Sequence, residues 1–268
     1  GDSRDYDGYS EETRVGKLTL DPVAFPNAET LQKDENLGRL KTTTAQGDTD
    51  GDGDVDVIYS YGARSFSVLN ASGEMVFDSG DAFEQVLAAK YANVFNSSDT
   101  ENYSRDNRSD DKGPEPEGIA AGYVNGVPYA FIGLERVGGI MIYDVSNPYA
   151  PVFQDYVNTR NFSSSFDFVN LADVKRAGPL GPEGLAFVPA KDSPTGKPLL
   201  MVAYEVSGTV KVFVAGVGTG TDEADFQLLR IVVFFYCLRK LADGPCEVRG
   251  VWAVDVWLQG GEVNFDDP

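Results

Sequence analysis

The sequence predicts an all-β fold of repeated antiparallel sheets, with one or two short helices in loops. Three observations carry that prediction. Apolar residues come in short alternating or continuous bursts bounded by Gly, Pro, Asn and Asp, the pattern of strands and turns. Helical periodicity is nearly absent. A unit of strands also recurs along the chain.

The first helical signal is short, at Ala28–Lys33. The tract Gly47-Asp48-Thr49-Asp50-Gly51-Asp52-Gly53-Asp54-Val55-Asp56 follows. Its alternating carboxylates repel one another unless a cation sits among them, and Ca²⁺ suits them. That ion takes six to eight oxygens, tolerates irregular geometry, and is served by alternate Asp with Gly at the turn. Asp48, Asp50 and Asp52 fit the first, third and fifth positions of an EF-hand loop, with Gly53 at the turn. Tyr59 stands where the closing Glu belongs, and no amphipathic helices flank the tract. The expectation is therefore a short calcium loop formed by Asp48, Asp50, Asp52, Asp54 and Asp56. The competing reading is a solvated acidic turn.

The best helix is Asp81–Tyr91, where an acidic N-terminus leads into apolar residues at helical spacing. Five Asn-x-Ser sequons stand at Asn70, Asn96, Asn102, Asn107 and Asn161. Three fall within residues 96–109, a polar stretch that reads as an exposed loop. Sequons carry weight in a secreted eukaryotic protein and are otherwise chance.

The repeat then sets the architecture. Pro116-Glu117-Gly118-Ile119-Ala120 recurs as Pro182-Glu183-Gly184-Leu185-Ala186, and Gly126–Glu135 recurs as Gly196–Glu205. Each copy continues through a Gly turn into a strand, Gly139–Tyr143 and Gly208–Phe213. A weaker third copy starts at Val57–Gly62 and leads to Ser65–Leu69. A unit of about 40 to 50 residues with several short strands is the size of a propeller blade, so a β-propeller with a partial set of blades is expected. A β-sandwich with coincidental hairpins is the competing architecture. The tail 215–268 still reads as strands, at Gln227–Lys240 and Val251–Leu258.

Composition bounds the function. The net charge of −20 repels nucleic acid and anionic membranes. The chain has no histidine, which removes the usual general base and the commonest transition-metal ligand. Any catalysis would rest on carboxylates, Arg, Lys, Tyr and a hard cation. Two cysteines, Cys237 and Cys246, allow one local disulfide at most. The most apolar stretch, Leu228–Leu238, is too short to span a bilayer and contains Arg230. Gly216–Thr221 is Gly-rich but lacks the Walker lysine, so it reads as a turn.

Four segments resemble the choice-of-anchor I family. They are Gly1–Tyr6, Tyr59–Ser67, Asp106–Gly118 and Gly181–Leu185. The resemblance runs from residue 1 to about Val214, which divides the chain into family-like blades at 1–214 and a tail at 215–268. These relatives are secreted or surface-anchored β-propellers, often described as alkaline-phosphatase-like or as mesenchyme-specific cell-surface glycoproteins. The resemblance implies a propeller and an extracellular or cell-surface location, and no established reaction. Relatives carry further blades before the first motif. The chain is therefore expected to be part of a larger propeller, completed by another chain or a self-assembly partner, or closed by its own tail.

Equivalent positions of propeller blades converge at the central channel, so Glu117 and Glu183 are expected to meet there. Arg108, Asp110 and Asp111 lie just before them in sequence. These five residues are the candidates for a calcium-dependent phosphoester hydrolase at the channel mouth, by analogy with phytase-type propellers. The favoured function is a calcium-binding extracellular module that binds a partner or serves a structural role. The hydrolase is the alternative.

Overall fold

The computed structural model describes the backbone of residues 3–217, 226–237 and 248–256. It is mostly β, with three α-helices among the described residues rather than the one or two expected. The Cys237–Cys246 pairing and most of the Gly-rich turn lie outside the described residues.

The N-terminal third is made of short elements. Strands β1 (Asp5–Tyr6) and β2 (Tyr9–Ser10) form a hairpin with Tyr6 and Tyr9 stacked at 4.9 Å. Strand β3 (Glu12–Arg14) pairs with β4 (Lys41–Thr43) across a connection that holds helix α1 (Ala28–Leu31). The third repeat copy gives no four-stranded unit. Its Ser65–Leu69 part contributes β5 (Ser67–Leu69), which pairs with β6 (Met75–Asp78), while Val57–Gly62 supplies only a bridge at Ser60. Val57 and Tyr59 of that segment are exposed. Helix α2 (Ala82–Lys90) forms where the periodicity placed it, burying Phe83 and Leu87.

The two clear repeat copies become two antiparallel meanders. The first runs β7 (Pro116–Val124), β8 (Val127–Leu134), β9 (Ile140–Asp144) and β10 (Val152–Val157). Helix α3 (Leu171–Ala177) follows, capped by the Asn170 side chain, which accepts from the N–H groups of Ala172 and Asp173. The second meander runs β11 (Pro182–Val188), β12 (Leu199–Tyr204), β13 (Thr209–Val217), β14 (Phe226–Cys237) and β15 (Val248–Val256). Two strands expected in the tail are thus present, and they extend the second sheet outward from β13.

The sheets pack on each other with β7 close against β11. Val124, Tyr129, Phe131, Ile140 and Ile142 of the first sheet meet Leu200, Val202, Tyr204, Phe213 and Ala215 of the second. The opposite face of the first sheet, with Ala130, Ile132, Leu134, Met141 and Tyr143, is covered by Phe66, Phe83 and Leu87. Being covered on both faces is why β8 reads as a continuous apolar run and not as an alternation. Gly118 allows the close approach. A Cβ there would sit 2.1 Å from the Glu183 carbonyl oxygen. No closed ring appears among the described residues.

The stretch at residues 96–109 departs in part from its sequence reading, since Arg105, Asp106 and Asn107 are exposed but much of what precedes them is not. Asn96, Ser97, Asp99, Asn102 and Ser104 are buried. Arg160, 6% exposed, explains how so polar a segment goes inside. Its guanidinium donates to Asn102 Oδ1 (2.9 Å) and to the carbonyls of Ser98 (2.8 Å), Glu101 (2.9 Å) and Arg136 (3.1 Å). It also lies over the rings of Phe162 and Phe166. Buried polar groups persist mainly when paired, and this planar five-donor group pairs Asn102 and the carbonyls of Ser98 and Glu101, while Arg136 pairs Asp99.

Candidate functional site

The aspartate tract folds as a closed loop. The N–H groups of Asp56 and Val57 both donate to the Gly47 carbonyl, at 2.8 and 3.1 Å. Position 47 must be Gly, since φ is +118° and a Cβ would meet the Val57 oxygen at 2.5 Å. Asp48 accepts from the N–H groups of Gly51 and Gly53, and Asp56 accepts from the Thr49 N–H and hydroxyl. Those Thr49 bonds hold the Asp56 carboxyl below its usual range.

Carboxylate oxygens of Asp48, Asp50 and Asp56 lie within 4.8 Å of one another, and so do those of Asp21, Asp54 and Asp56. Asp56 is shared between the groups, and Asp52 belongs to neither. Asp21 was missed in the sequence. It arrives because the chain at Leu20 bridges to Val55, with the Asp21 N–H donating to the Val55 carbonyl at 3.0 Å. Among the described residues none of these carboxylates takes part in an ion pair. Asp54 Oδ1 is buried without a hydrogen-bond partner. Burial, then Asp52, Asp21 and Asp56, raise the Asp54 carboxyl above its usual range. An orphaned oxygen among like charges, with only oxygen donors around it, is a donor set that fits a hard cation such as Ca²⁺.

A second carboxylate cluster stands where the repeat begins. Both copies break register at Pro-Glu-Gly, and both use the same backbone bond there. Glu135 N–H donates to the Glu115 carbonyl (2.9 Å), and Glu205 N–H donates to the Gly181 carbonyl (2.8 Å). Glu115 and Gly181 both have positive φ, +52° and +69°. The matched geometry brings Glu117 to Glu135 and Glu183 to Glu205. Glu135, 4% exposed, is pushed up to about 9 by burial, then by its hydrogen bond with Glu117 and by Glu115. Glu205 is raised too, by desolvation and by its hydrogen bond with Glu183. Oxygens of Glu115, Glu117 and Glu135 lie within 4.8 Å of one another, as do those of Asp99, Glu135 and Glu205.

Arg136 is the cation in the middle. It pairs with Asp99 (2.7 Å), Glu135 (2.8 Å) and Glu115. Burial alone would lower its guanidinium, but Asp99, Glu115 and Glu135 outweigh that and raise it. Lys112 adds an ion pair to Glu115. The acids outnumber these two partners, and burial among them pushes the Glu135 carboxyl up to about 9. Asp99, Glu135, Arg136 and Glu205 were not singled out as site residues in the sequence. Their matched spacing was visible for Glu135 and Glu205 alone.

The other hydrolase candidates sit in a different network. Asp110 pairs with Arg14 (3.1 Å) and Arg39 (2.5 Å), and Asp111 pairs with Arg108 and Lys41 (3.4 Å). Asp110 and Asp111 line an open cleft of about 780 Å³ with Arg39, Arg64, Glu84 and Asp106. Arg64 pairs with Glu84 (3.0 Å) and donates to the carbonyls of Ser109 and Asp111. Of the five expected catalytic residues, Glu117 and Glu183 thus join the carboxylate cluster, while Arg108, Asp110 and Asp111 are engaged with basic or acidic partners of their own.

The fold and these clusters define an acidic, mostly β protein with two repeated meanders and oxygen-rich sites. The choice-of-anchor I domain model matches residues 1–148, and the chain belongs to that family. It is 33% identical over 195 residues to Gigasin-3a of Magallana gigas, covering 68% of this chain and 66% of that protein. It is 23% identical over 173 residues to the mesenchyme-specific cell surface glycoprotein of Strongylocentrotus purpuratus, covering 59% of this chain and 22% of that protein. The chain therefore spans just under two thirds of the first relative's length and about a fifth of the second's. No solved structure matches. Among the described residues no helix is long and apolar enough to cross a membrane.

Proposed function

We propose that this chain is a calcium-binding extracellular surface module, built from β-propeller blades, that binds a partner or serves a structural role. The observation that carries the calcium reading is the orphaned Asp54 Oδ1 among Asp21, Asp52 and Asp56. Asp21, Asp54 and Asp56, with Asp48 and Asp50, would hold the ion, and its charge would relieve their repulsion. Family membership and the name of the Strongylocentrotus purpuratus relative support the surface location. The two meanders with matched Pro-Glu-Gly starts support blades. A partner chain or second copy would then complete the ring.

Thermal unfolding in EDTA and in millimolar Ca²⁺ tests the ion. A ligand that binds only the native state at a hundredfold excess over its dissociation constant adds about 2.7 kcal/mol. A melting temperature indifferent to EDTA overturns the calcium reading. Labelling of intact cells tests the location, and light scattering of the purified chain tests the partner.

One observation favours a second reading, a calcium-dependent phosphoester hydrolase. The carboxyls of Glu115, Glu117 and Glu135 converge, and Glu135 holds a proton that a general acid needs. A phosphomonoester assay in millimolar calcium with Glu117→Gln tests it. Turnover that survives both chelation and Glu117→Gln excludes this site.

A further inference from the structure

The five Asn-x-Ser sequons are identical as sequence motifs and are treated differently by the fold. Asn96 is 0% exposed and donates both amide hydrogens, to Glu84 Oε1 (2.7 Å) and Ser109 Oγ (3.0 Å). Asn102 is 1% exposed and does the same, to the carbonyls of Asn161 (2.9 Å) and Ser164 (2.5 Å). Its Oδ1 receives the Arg160 Nε–H. These two amides are internal crosslinks of the buried polar loop.

The other three sequons are not buried, Asn70 being half-buried. Asn107 and Asn161 are exposed. Asn161 sits directly above Asn102, giving its backbone carbonyl to the buried amide while its own side chain turns outward, where Nδ2 donates to the Arg176 carbonyl (3.1 Å). Asn70 lies in the tight turn joining β5 to β6. Its Nδ2 donates to Glu74 Oε2 (2.8 Å) in an exposed contact, and Ser72 beside it is exposed.

N-glycosylation replaces one amide N–H by a bond from Nδ2 to the anomeric carbon of a sugar. The donor is an oligosaccharide on a polyprenyl diphosphate, which leaves as the free diphosphate and takes up the displaced proton. The product needs open space beyond Nδ2 and can spare one hydrogen bond. An amide using both hydrogens inside the protein has neither. We propose that Asn70, Asn107 and Asn161 are N-glycan acceptor sites and that Asn96 and Asn102 stay bare in the folded protein. The proposal rests on the reading that the chain is exported.

The test is secretion of the full chain from a eukaryotic cell line behind an added signal peptide. Enzymatic deglycosylation in H₂¹⁸O followed by peptide mass spectrometry then maps occupied sites. Heavy-oxygen aspartate is expected at positions 70, 107 and 161, with unmodified asparagine at 96 and 102. Asn70→Gln, Asn107→Gln and Asn161→Gln should each remove one glycan step on a gel, and Asn107→Gln should do so without changing the melting temperature. Ser163→Ala should remove the glycan at Asn161 while leaving that asparagine in place. A glycan on Asn96 or Asn102 in the folded fraction, or a bare site among the other three, overturns the assignment. Occupied sites in this host, with no labelling of the native chain on intact cells, would sink the export reading and leave the sorting of sequons standing.

Discussion

Arg160→Met removes the donor that makes the buried loop at residues 96–104 possible. Four acceptors lose their partner, namely Asn102 Oδ1 and the carbonyls of Ser98, Glu101 and Arg136. The guanidinium is still charged at neutral pH, since burial brings it down only to about 10. A buried acceptor left dry costs about 1–3 kcal/mol. If half of the four recover water, the loss is about 4 kcal/mol, to which the lost ring contacts add about 1 kcal/mol. For a domain of this size each kcal/mol moves the melting temperature by about 2–4 °C, so a drop of roughly 10–20 °C is expected. Arg160→Lys keeps the charge but not the planar fork, and should fall about midway. Urea titration gives the free energy, and hydrogen exchange at residues 96–104 gives its location. A loss below about 1 kcal/mol, or exchange in that segment unchanged, would refute the account of Arg160 as the clamp.

Three further outcomes follow from the geometry. Gly118→Ala puts a methyl group against the Glu183 carbonyl, which moves only with β11, and should cost about 3 kcal/mol by urea titration. Glu11 is held down to about 2, from 4.5, by the Arg4 guanidinium and N–H and by Thr43. Its contribution to stability is present above pH 4.5 and lost as pH falls through about 2, so Glu11→Gln should lower the melting temperature at neutral pH and flatten the acid limb. Asp54→Asn removes like-charge repulsion, so it should raise the melting temperature in EDTA and shrink the response to Ca²⁺. A fall in EDTA would mean that Asp54 is not crowded by Asp21, Asp52 and Asp56.

The sequence by itself determined the strand-rich class, helix α2, the two meanders and family membership. Each is written in local pattern. The Pro-Glu-Gly repeats mark β7 and β11, apolar runs mark β8 and β12, and helical spacing marks Ala82–Lys90. It also placed Glu117 and Glu183 in equivalent positions, because a repeat in sequence is a repeat in register. Tertiary structure alone decided the rest. Asp21 joins the aspartate loop through a bridge more than thirty residues long in chain (Leu20 to Val55), and Asp110 is taken by Arg14 and Arg39 instead of meeting Glu117. The polar stretch at residues 96–109 looked solvated because composition reports the cost of burying its groups. Whether that cost is met depends on a partner, here Arg160, brought from some sixty residues away by the fold. The same holds for the sequons, where identical motifs become crosslinks or open sites according to what packs over each amide.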